Sequence, residues 1–409
     1  YKFARDGGYQ SSMNIYGGTV SNVGGISVGM TIGGQQPKAS TGIVYLAEGV
    51  LHSGSITLGT QSNSVVIVRQ SGGLFRMTGT LTLGLGQRTL GVYTQEGGEA
   101  WCSLLSLGAG AGAAGEIFLR GGSLMTPNSI YIGNGSASAG RLTQSGGVLI
   151  SSNSLVVGSL SGSSGVYSNT GGRAWCNQFR VGYAAGSTGE VFLTGGTLAS
   201  SGAAGSSYIG EVAGASARMF QSGGEFVVSN AITVGSAVGA AGTYTNTGGS
   251  VWLSGTLYVG NSAGSIGRMY FSGSSLDARG GITVGNMGNS TGELVLAGGL
   301  TPITNANLSV GNSAGSFGRT EISGGTNLFN NIQVGTLGVA LVRVTGGYTY
   351  TTNRVMVGAF GSSTGRLELV GGVFSTPIID GRDPLNATPG GYSEVLFDGG
   401  TLQHSVDCD

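Results

Sequence analysis

The chain is rich in glycine and balanced in charge. Its 409 residues include 84 Gly and only 6 Pro, charged residues make up 9%, and 18 basic residues offset 18 acidic ones. Collagen needs Gly at every third position with abundant Pro, and disordered chains usually carry a high net charge, so both classes are excluded. Lys and Arg form no cluster, and no apolar segment is long enough to span a bilayer. We therefore predict neither a nucleic-acid partner nor membrane insertion by this segment.

The predicted organisation is a single β-solenoid domain over residues 1–409. Residues 1–16, which contain Tyr1, Phe3, Tyr9 and Tyr16, are predicted to form an N-terminal segment or cap. Regular coils are expected over 17–378, an irregular loop over 379–392, and a last, incomplete coil over 393–409. One repeat cannot bury its apolar face alone, so neighbouring repeats must stack.

Two sequence markers recur with a common period of about 25 residues. The first marker is a pair of glycines, and the second is an aliphatic residue followed by Gly. The pairs begin at Gly72, Gly97, Gly121, Gly146 and Gly171 and continue to Gly399. The second marker falls at Gly59, Gly84, Gly108, Gly133 and Gly158 and continues to Gly358. Two independent markers with one period indicate a tandem repeat.

Each repeat has the pattern of three short β-strands, because apolar and polar residues alternate between Gly-rich turns. In one repeat Ile117 and Leu119 share a face, and Ile130 and Ile132 share a face after two further turns. Equivalent aliphatic residues recur at Leu155, Ile232 and Leu308. We predict an all-β fold, a right-handed parallel β-helix (β-solenoid) of about fifteen coils with three short strands per coil. Strands about 4.8 Å apart would make this a rod of roughly 70 Å.

A longer period lies on top of the first. Gln70-Ser71-Gly72-Gly73 returns at Gln144 and again at Gln221. The coil that follows each of these brings Trp101, Trp175 or Trp252. The coils are therefore predicted to come in blocks of three.

Two strings in the second half of the chain resemble a known repeat. VGNSAGSIGRMYFSG begins at Val259 and returns as VGNSAGSFGRTEISGG from Val310. They look like the 25-residue β-strand repeat shared by autotransporter passengers and by surface proteins with PEP-CTERM sorting tails. The resemblance extends over residues 15–402. It implies a bacterial surface β-solenoid, and it carries no catalytic residue to transfer.

The three tryptophans are the candidate binding residues. Trp101, Trp175 and Trp252 hold one position in every third coil. Alternation from the inward positions 100, 174 and 251 would point the tryptophans outward, as an aromatic stripe for glycan or protein contacts. Alternatively, the small residues before them let each Trp fold into a corner of the core.

Charged and amide side chains are predicted to pair between coils. Amides two residues before the Gly pair, such as Gln70, Gln95, Gln144 and Asn169, are expected to bond along the stack or to the backbone of turns. Outward charges of opposite sign in successive coils predict weak ion pairs that fix the register. These are Glu96 with Arg120, Glu116 with Arg141, Glu190 with Arg218, and the series Arg268, Glu293 and Arg319.

Cysteines, histidines and acidic residues give no site that can be assigned. Cys102 and Cys176 lie three coils apart, beyond the reach of a disulfide, and are expected in the core. Cys408 is the candidate for an intermolecular disulfide. His52 and His404 lie on different coils, so neither a metal site nor a His-based triad is predicted. The aspartates near the C-terminus, Asp380, Asp383, Asp398, Asp407 and Asp409, either bind calcium or belong to a solvated loop.

The sequence therefore favours a non-catalytic extracellular structural protein without cofactors. The rod would form or extend a bacterial surface fibre or adhesin, and self-association end to end is the expected partnership. A surface glycan or another envelope protein is a further candidate partner. The alternative is a β-helix protein that binds or degrades polysaccharides. Degradation would need two or more carboxylates converging in a groove, whereas the carboxylates here are scattered.

Overall fold

The structure is a computed structural model. It describes residues 2–3, 10–22, 24, 26–28, 41–202, 205–381 and 391–404. Every regular element in these ranges is a β-strand, and they contain no α-helix. The chain divides into two compact units, Tyr1–Ala204 (unit 1) and Gly205–Asp409 (unit 2). Tyr1, Tyr9, Asp383, Asp407, Cys408 and Asp409 lie outside the described residues.

Unit 1 contains strands β1 to β22. Their bounds are β1 (Lys2–Phe3), β2 (Gln10–Ile15), β3 (Thr19–Asn22), β4 (Ile26–Val28), β5 (Thr41–Leu46), β6 (Val50–Ser53), β7 (Ile56–Leu58), β8 (Val65–Gln70), β9 (Leu74–Met77), β10 (Thr80–Leu83), β11 (Leu90–Gln95), β12 (Glu99–Trp101), β13 (Leu104–Leu107), β14 (Ala114–Leu119), β15 (Ser123–Thr126), β16 (Ile130–Ile132), β17 (Ala139–Gln144), β18 (Val148–Val157), β19 (Ser164–Asn169), β20 (Arg173–Val181), β21 (Thr188–Leu193) and β22 (Thr197–Ser200).

Unit 2 contains strands β23 to β42. Their bounds are β23 (Ser207–Ile209), β24 (Ser216–Val228), β25 (Ile232–Val234), β26 (Ala241–Leu253), β27 (Leu257–Val259), β28 (Ile266–Phe271), β29 (Ser275–Ala278), β30 (Ile282–Val284), β31 (Thr291–Leu296), β32 (Leu300–Ile303), β33 (Leu308–Val310), β34 (Phe317–Ile322), β35 (Thr326–Val334), β36 (Val339–Val344), β37 (Tyr348–Val357), β38 (Thr364–Leu369), β39 (Val373–Thr376), β40 (Ile379–Asp380), β41 (Tyr392–Phe397) and β42 (Thr401–His404).

Within each unit the strands pair in parallel and form three stacks. In unit 1 the first stack is β2, β5, β8, β11, β14, β17, β19 and β21. The second is β3, β6, β9, β12, β15, β18, β20 and β22. The third is β1, β4, β7, β10, β13, β16 and the last residues of β18 and β20. One strand from each stack makes one coil.

Unit 2 repeats this arrangement. Its first stack is β24, β26, β28, β31, β34, β36, β38 and β41. The second stack starts with the last residues of β24 and β26 and continues through β29, β32, β35, β37, β39 and β42. The third is β23, β25, β27, β30, β33, the last residues of β35 and β37, and β40.

Alternate residues of each strand fill the interior of the coils. Leu155, Ile232 and Leu308 are all buried, as their aliphatic rows predict. Backbone hydrogen bonds join each coil to the next, and the aliphatic rows supply the apolar burial that stabilises the stack. The all-β parallel solenoid is therefore confirmed. The described residues make about 14 coils, close to the fifteen predicted.

The Gly pairs mark sharp turns between the first and second stacks. At Gly172 the backbone has φ of +83°, and a Cβ there would lie 2.5 Å from the Gly147 carbonyl oxygen of the preceding coil. Only glycine combines a left-handed backbone with so close an approach. This explains why the pair recurs in the sequence.

The predicted boundaries near the C-terminus fall close to strand ends. β40 (Ile379–Asp380) lies at the start of the predicted loop 379–392, and β41 begins at its last residue. Residues 382–390 of that loop lie outside the described residues. The prediction of one domain over 1–409 stays a prediction.

Candidate binding surface

The second stack of unit 1 carries an apolar row on its outer face. Successive register pairs join Arg76 to Trp101, Trp101 to Met125, Met125 to Ile150, and Ile150 to Trp175. We call Trp101, Met125, Ile150 and Trp175 the outer stripe. All four side chains are partly exposed. The register places them side by side along the stack, so that the stripe runs from coil to coil.

Alternation within the strands turns the stripe outward. Ala100 and Cys102, on either side of Trp101, are buried, and Ala174 and Cys176 are buried on either side of Trp175. Because successive side chains of a strand point to opposite faces, the indole rings lie on the outside of the coil. They are not folded into a corner of the core.

Arginine side chains lie over two of the three indole rings. The Arg76 guanidinium carbon is 5.7 Å from the ring centroid of Trp101. In unit 2 the Arg279 guanidinium carbon is 5.1 Å from the ring centroid of Trp252. Both distances fall within the range of cation–π attraction. Arg279 Nε also forms an ion pair with Asp277 Oδ2 at 3.2 Å. A surface depression of about 440 Å³, lined by Asp277, Arg279 and Asn305 among others, lies beside this arginine.

Two of the predicted ion pairs form directly between successive coils. Arg120 Nη1 lies 3.3 Å from Glu96 Oε1, and Arg268 Nε lies 2.9 Å from Glu293 Oε2. The four side chains are between 38% and 57% exposed, so solvent screens the attraction and each pair contributes little to stability. Opposite charges at register partners favour that register over one shifted by a coil, which stays a prediction.

The other predicted pairs differ in outcome. Glu116 faces Arg141 across the register of β14 and β17, but these two described side chains make no ion pair. Arg319 faces Glu293 in the register, yet it pairs at 3.2 Å with Glu321, two residues further along its own strand. Within their own units, Glu190 lies opposite Val166 and Arg218 lies opposite Thr243.

A longer charge network in unit 2 was not predicted. Arg343 Nε lies 3.4 Å from Glu368 Oε2, and Arg366 Nε lies 2.8 Å from Glu368 Oε1. Arg366 Nε also lies 3.3 Å from Glu394 Oε2. The network combines contacts between coils with contacts between residues i and i+2 of one strand. The i, i+2 spacing of opposite charges at Arg366 and Glu368 was the available signal, because such residues share a face.

The inward amides Gln70, Gln144 and Gln221 bond to turn backbone as predicted, and each also accepts a hydrogen bond that was not predicted. Asn246, which lies opposite Gln221, has no side-chain hydrogen bond among the described residues. Gln144 Nε2 donates to Gly147 O at 3.3 Å and to Arg173 O at 3.1 Å. Its Oε1 accepts a hydrogen bond from the Tyr167 hydroxyl at 2.9 Å. The same pair recurs as Tyr93 with Gln70 and Tyr244 with Gln221. Burial raises the pKa of all three tyrosines, so their hydroxyls stay protonated as donors.

The two described cysteines are both buried. Burial raises the pKa of the Cys102 and Cys176 thiols to about 12, so at neutral pH neither is a thiolate nucleophile. Asp380 pairs with Arg354 at 3.4 Å. Throughout the described ranges, no three His, Cys, Asp or Glu side chains come together as metal ligands. His52 lies in unit 1 and His404 in unit 2.

The comparisons with known proteins add no relative. No family model, no curated protein and no solved structure matches the chain. In the part of the chain that the structure describes, no helix has the length and apolar character needed to cross a bilayer.

Proposed function

We propose that the chain is a non-catalytic structural protein of the bacterial cell surface or exterior, a repetitive scaffold that forms or extends a fibre or adhesin through association of coils. Its coils repeat one buried pattern while the outward rows vary, as expected of a scaffold selected for its surface. The resemblance of its repeat to those of autotransporter passengers and PEP-CTERM surface proteins supports the location. End-to-end contact between copies is the association that the exposed coil favours.

One observation carries this proposal, the exposure of core-row side chains on β41 and β42. Val395 and Phe397 continue the buried row of Leu367 and Leu369, and Leu402 continues that of Phe374. Val395, Phe397 and Leu402 are nevertheless 45%, 54% and 45% exposed. In the described part of the chain β41 pairs with β38 alone. An apolar face beside a strand edge that has no partner among the described residues favours contact with a further coil of the same kind.

On the first described coil of unit 1, Met13 and Val20 are partly exposed and Tyr16 is 68% exposed. Ile15 on β2 and Ile26 on β4 are only 4% and 2% exposed. The last described coil, which contains β41 and β42, exposes Val395, Phe397 and Leu402. A second copy that contacts this coil would bury Val395, Phe397 and Leu402 and pair with the edge of β41.

Sedimentation velocity over a range of concentrations, with electron microscopy of the same samples, tests the association. We expect the mean mass to rise with concentration, and particles longer than one chain to appear. Replacing both Val395 and Phe397 by Glu should leave monomers, because two charges would have to be buried. Leu160→Glu is the matched control, since Leu160 is 46% exposed but lies in unit 1. A wild-type chain that stays monomeric at every concentration would contradict the proposal.

Cleavage of polysaccharides by the chain can be measured directly. Purified chain would be incubated with a panel of polysaccharides, and newly formed reducing ends and unsaturated sugars would be measured. We expect neither product. A product that appears in proportion to the purified chain would instead support the polysaccharide-degrading alternative.

Polysaccharide binding is a second candidate function, favoured by the outer stripe. Partly exposed indole rings offer flat apolar faces, and Arg76 adds hydrogen-bond donors beside Trp101. Retention on immobilised polysaccharides, measured for wild type and for the double variant Trp101→Ala with Trp175→Ala, tests this role. Leu160→Ala serves as the control. Equal retention of all three proteins would exclude the stripe as the binding surface.

A further inference from the structure

Several buried polar side chains of unit 2 have atoms without a hydrogen-bond partner among the described residues, and four of them occupy inward rows of two neighbouring stacks. Thr301, Thr320, Asn327 and Thr349 are each 0% exposed, and we call them the internal polar cluster. The three threonine hydroxyls and the Oδ1 of Asn327 have no hydrogen-bond partner among the residues that the structure describes. The Asn327 amide nitrogen donates to Gly324 O at 3.0 Å, so one end of that side chain is satisfied.

The register stacks three members of the cluster on successive coils. Thr301 on β32 lies opposite Asn327 on β35, which lies opposite Thr349 on β37. Register partners in adjacent strands are about 4.8 Å apart, so the three side chains form one inward row of the second stack.

The fourth member, Thr320, projects inward from the first stack. The row of Thr320 runs back through Leu294 and Met269 to Tyr244. The ring of Tyr244 packs 6.1 Å from that of Phe226, a second-stack residue one coil earlier. Thr301 holds the corresponding second-stack position one coil before Thr320. Two hydroxyls thus occupy the places that two aromatic rings fill elsewhere in the unit.

A buried hydroxyl without a partner is unfavourable. Ser265, Ser290 and Ser363 of unit 2 are also buried, and their hydroxyls likewise have no hydrogen-bond partner among the described residues. At the position equivalent to Thr320, Tyr244 bonds to Gln221, whereas Met269 and Leu294 are apolar. The backbone groups of the neighbouring strands already pair between coils. The four polar atoms therefore need a partner that is small, neutral, and both donor and acceptor.

We propose that the internal polar cluster is a binding site for ordered water enclosed in unit 2. Water has the required chemistry, and buried waters typically make about three hydrogen bonds to such groups. A metal cation is disfavoured because the cluster contains no carboxylate. The proposal does not depend on the proposed function, since it concerns the interior alone.

A competing arrangement would leave the cluster dry. Phe329 lies two residues after Asn327 on the same strand, faces inward and is fully buried. Its ring, with Ile303, could take up the room that the small threonine side chains leave. The number of enclosed waters distinguishes these two arrangements.

The test is a crystal structure of the wild-type chain at a resolution that shows ordered water, joined to water-oxygen relaxation dispersion in solution. We expect density within hydrogen-bond distance of the Thr301 and Thr320 hydroxyls, and a dispersion signal from long-lived water. In the double variant Thr301→Val with Thr320→Val, part of that signal should disappear without loss of the folded state. Valine keeps the shape of threonine but removes the hydroxyl.

Thr126→Val in unit 1 is the matched control. Thr126 is 2% exposed, and its hydroxyl donates to Ser103 O at 2.7 Å, so water is not required there. This variant should be less stable while its dispersion signal stays unchanged. A wild-type map without density at the cluster would overturn the proposal, and so would an equal dispersion signal in wild type and a folded double variant. If the double variant does not fold, the wild-type map alone decides.

Discussion

Buried tyrosine hydroxyls are the most specific residue-level feature of the fold. We expect Tyr167→Phe to lower the free energy of unfolding by about 1–3 kcal/mol, because Gln144 Oε1 would remain buried without its donor. Urea denaturation followed by circular dichroism measures the change. Tyr183→Phe is the control, since Tyr183 is 37% exposed and its ring contact with Arg180 survives the change. Equal losses in the two variants would contradict a special role for the buried pair.

Sequence predicts which of these residues face inward, but not which atoms they reach. The position of Gln144 before its Gly pair was sufficient to predict bonds to the turn backbone, because that geometry repeats within one coil. The hydroxyl of Tyr167 reaches back to the preceding coil, and its partner depends on the stacking distance and the rotamer. The internal polar cluster could not be predicted for the same reason. In the sequence, an inward threonine such as Thr320 looks like one polar substitution in a row of apolar residues.

At the scale of elements, the tight turns combine two separate requirements. Gly172 and Gly112 both have a left-handed backbone, with φ of +83° and +65°. A Cβ at Gly172 would lie 2.5 Å from Gly147 O, whereas at Gly112 nothing lies within 4 Å. We expect Gly112→Ala to cost about 1–2 kcal/mol for the backbone alone. Gly172→Ala should cost about 1–3 kcal/mol more, because the preceding coil must move.

Differential scanning calorimetry of the two glycine variants measures this difference. If Gly112→Ala and Gly172→Ala lowered the melting temperature equally, the contact between coils would contribute nothing and backbone strain would explain both. The comparison keeps the amino-acid change constant, so helix or strand propensity does not enter.

The strands themselves were predictable because alternation is a local signal. Ile117, Leu119, Ile130 and Ile132 are all buried, as their spacing predicts. Charge pairing was less predictable. Arg268 forms an ion pair with Glu293. Arg319 lies opposite Glu293 in the register, but it pairs with Glu321 on its own strand. Choice among several neighbours depends on side-chain geometry that the repeat period does not determine.

At the scale of the whole molecule, the buried thiols and phenols make stability depend on alkaline pH. The pKa of Cys102 and Cys176 rises from 9.0 to about 12 on folding, so the unfolded chain loses these protons first. The contribution of the two thiols to the free energy of unfolding is fully present below pH 9. It is lost as the pH rises from 9 towards about 12. We expect the melting temperature to fall over this range.

The double variant Cys102→Ala with Cys176→Ala isolates the thiol contribution. Its melting temperature should fall less steeply with pH, while the tyrosines, whose pKa values are also raised, retain part of the slope. Identical slopes for the variant and the wild type would show that the thiols do not titrate with unfolding. Thermal melts at matched ionic strength give both curves.

The stacked-coil architecture could be predicted from the repeat of about 25 residues. The exposure of the coil that contains β41 and β42 could not. The rows that contain Val395 and Phe397 read as core, and they would be core if another coil lay against them. Their exposure depends on what contacts β41, which no local pattern specifies. The sequence therefore predicts which side chains of a coil face inward. Whether a neighbouring coil covers them is seen only in the structure.

The tyrosine–glutamine pairs constrain how such a gene can change in length. Each hydroxyl donor sits one coil after its acceptor, and the arrangement returns every third coil. Duplication or loss of a whole three-coil block keeps every donor beside an acceptor. Removal of the single coil that carries Tyr167 would leave Gln144 Oε1 buried without its donor, whereas recombination in whole blocks preserves every pair.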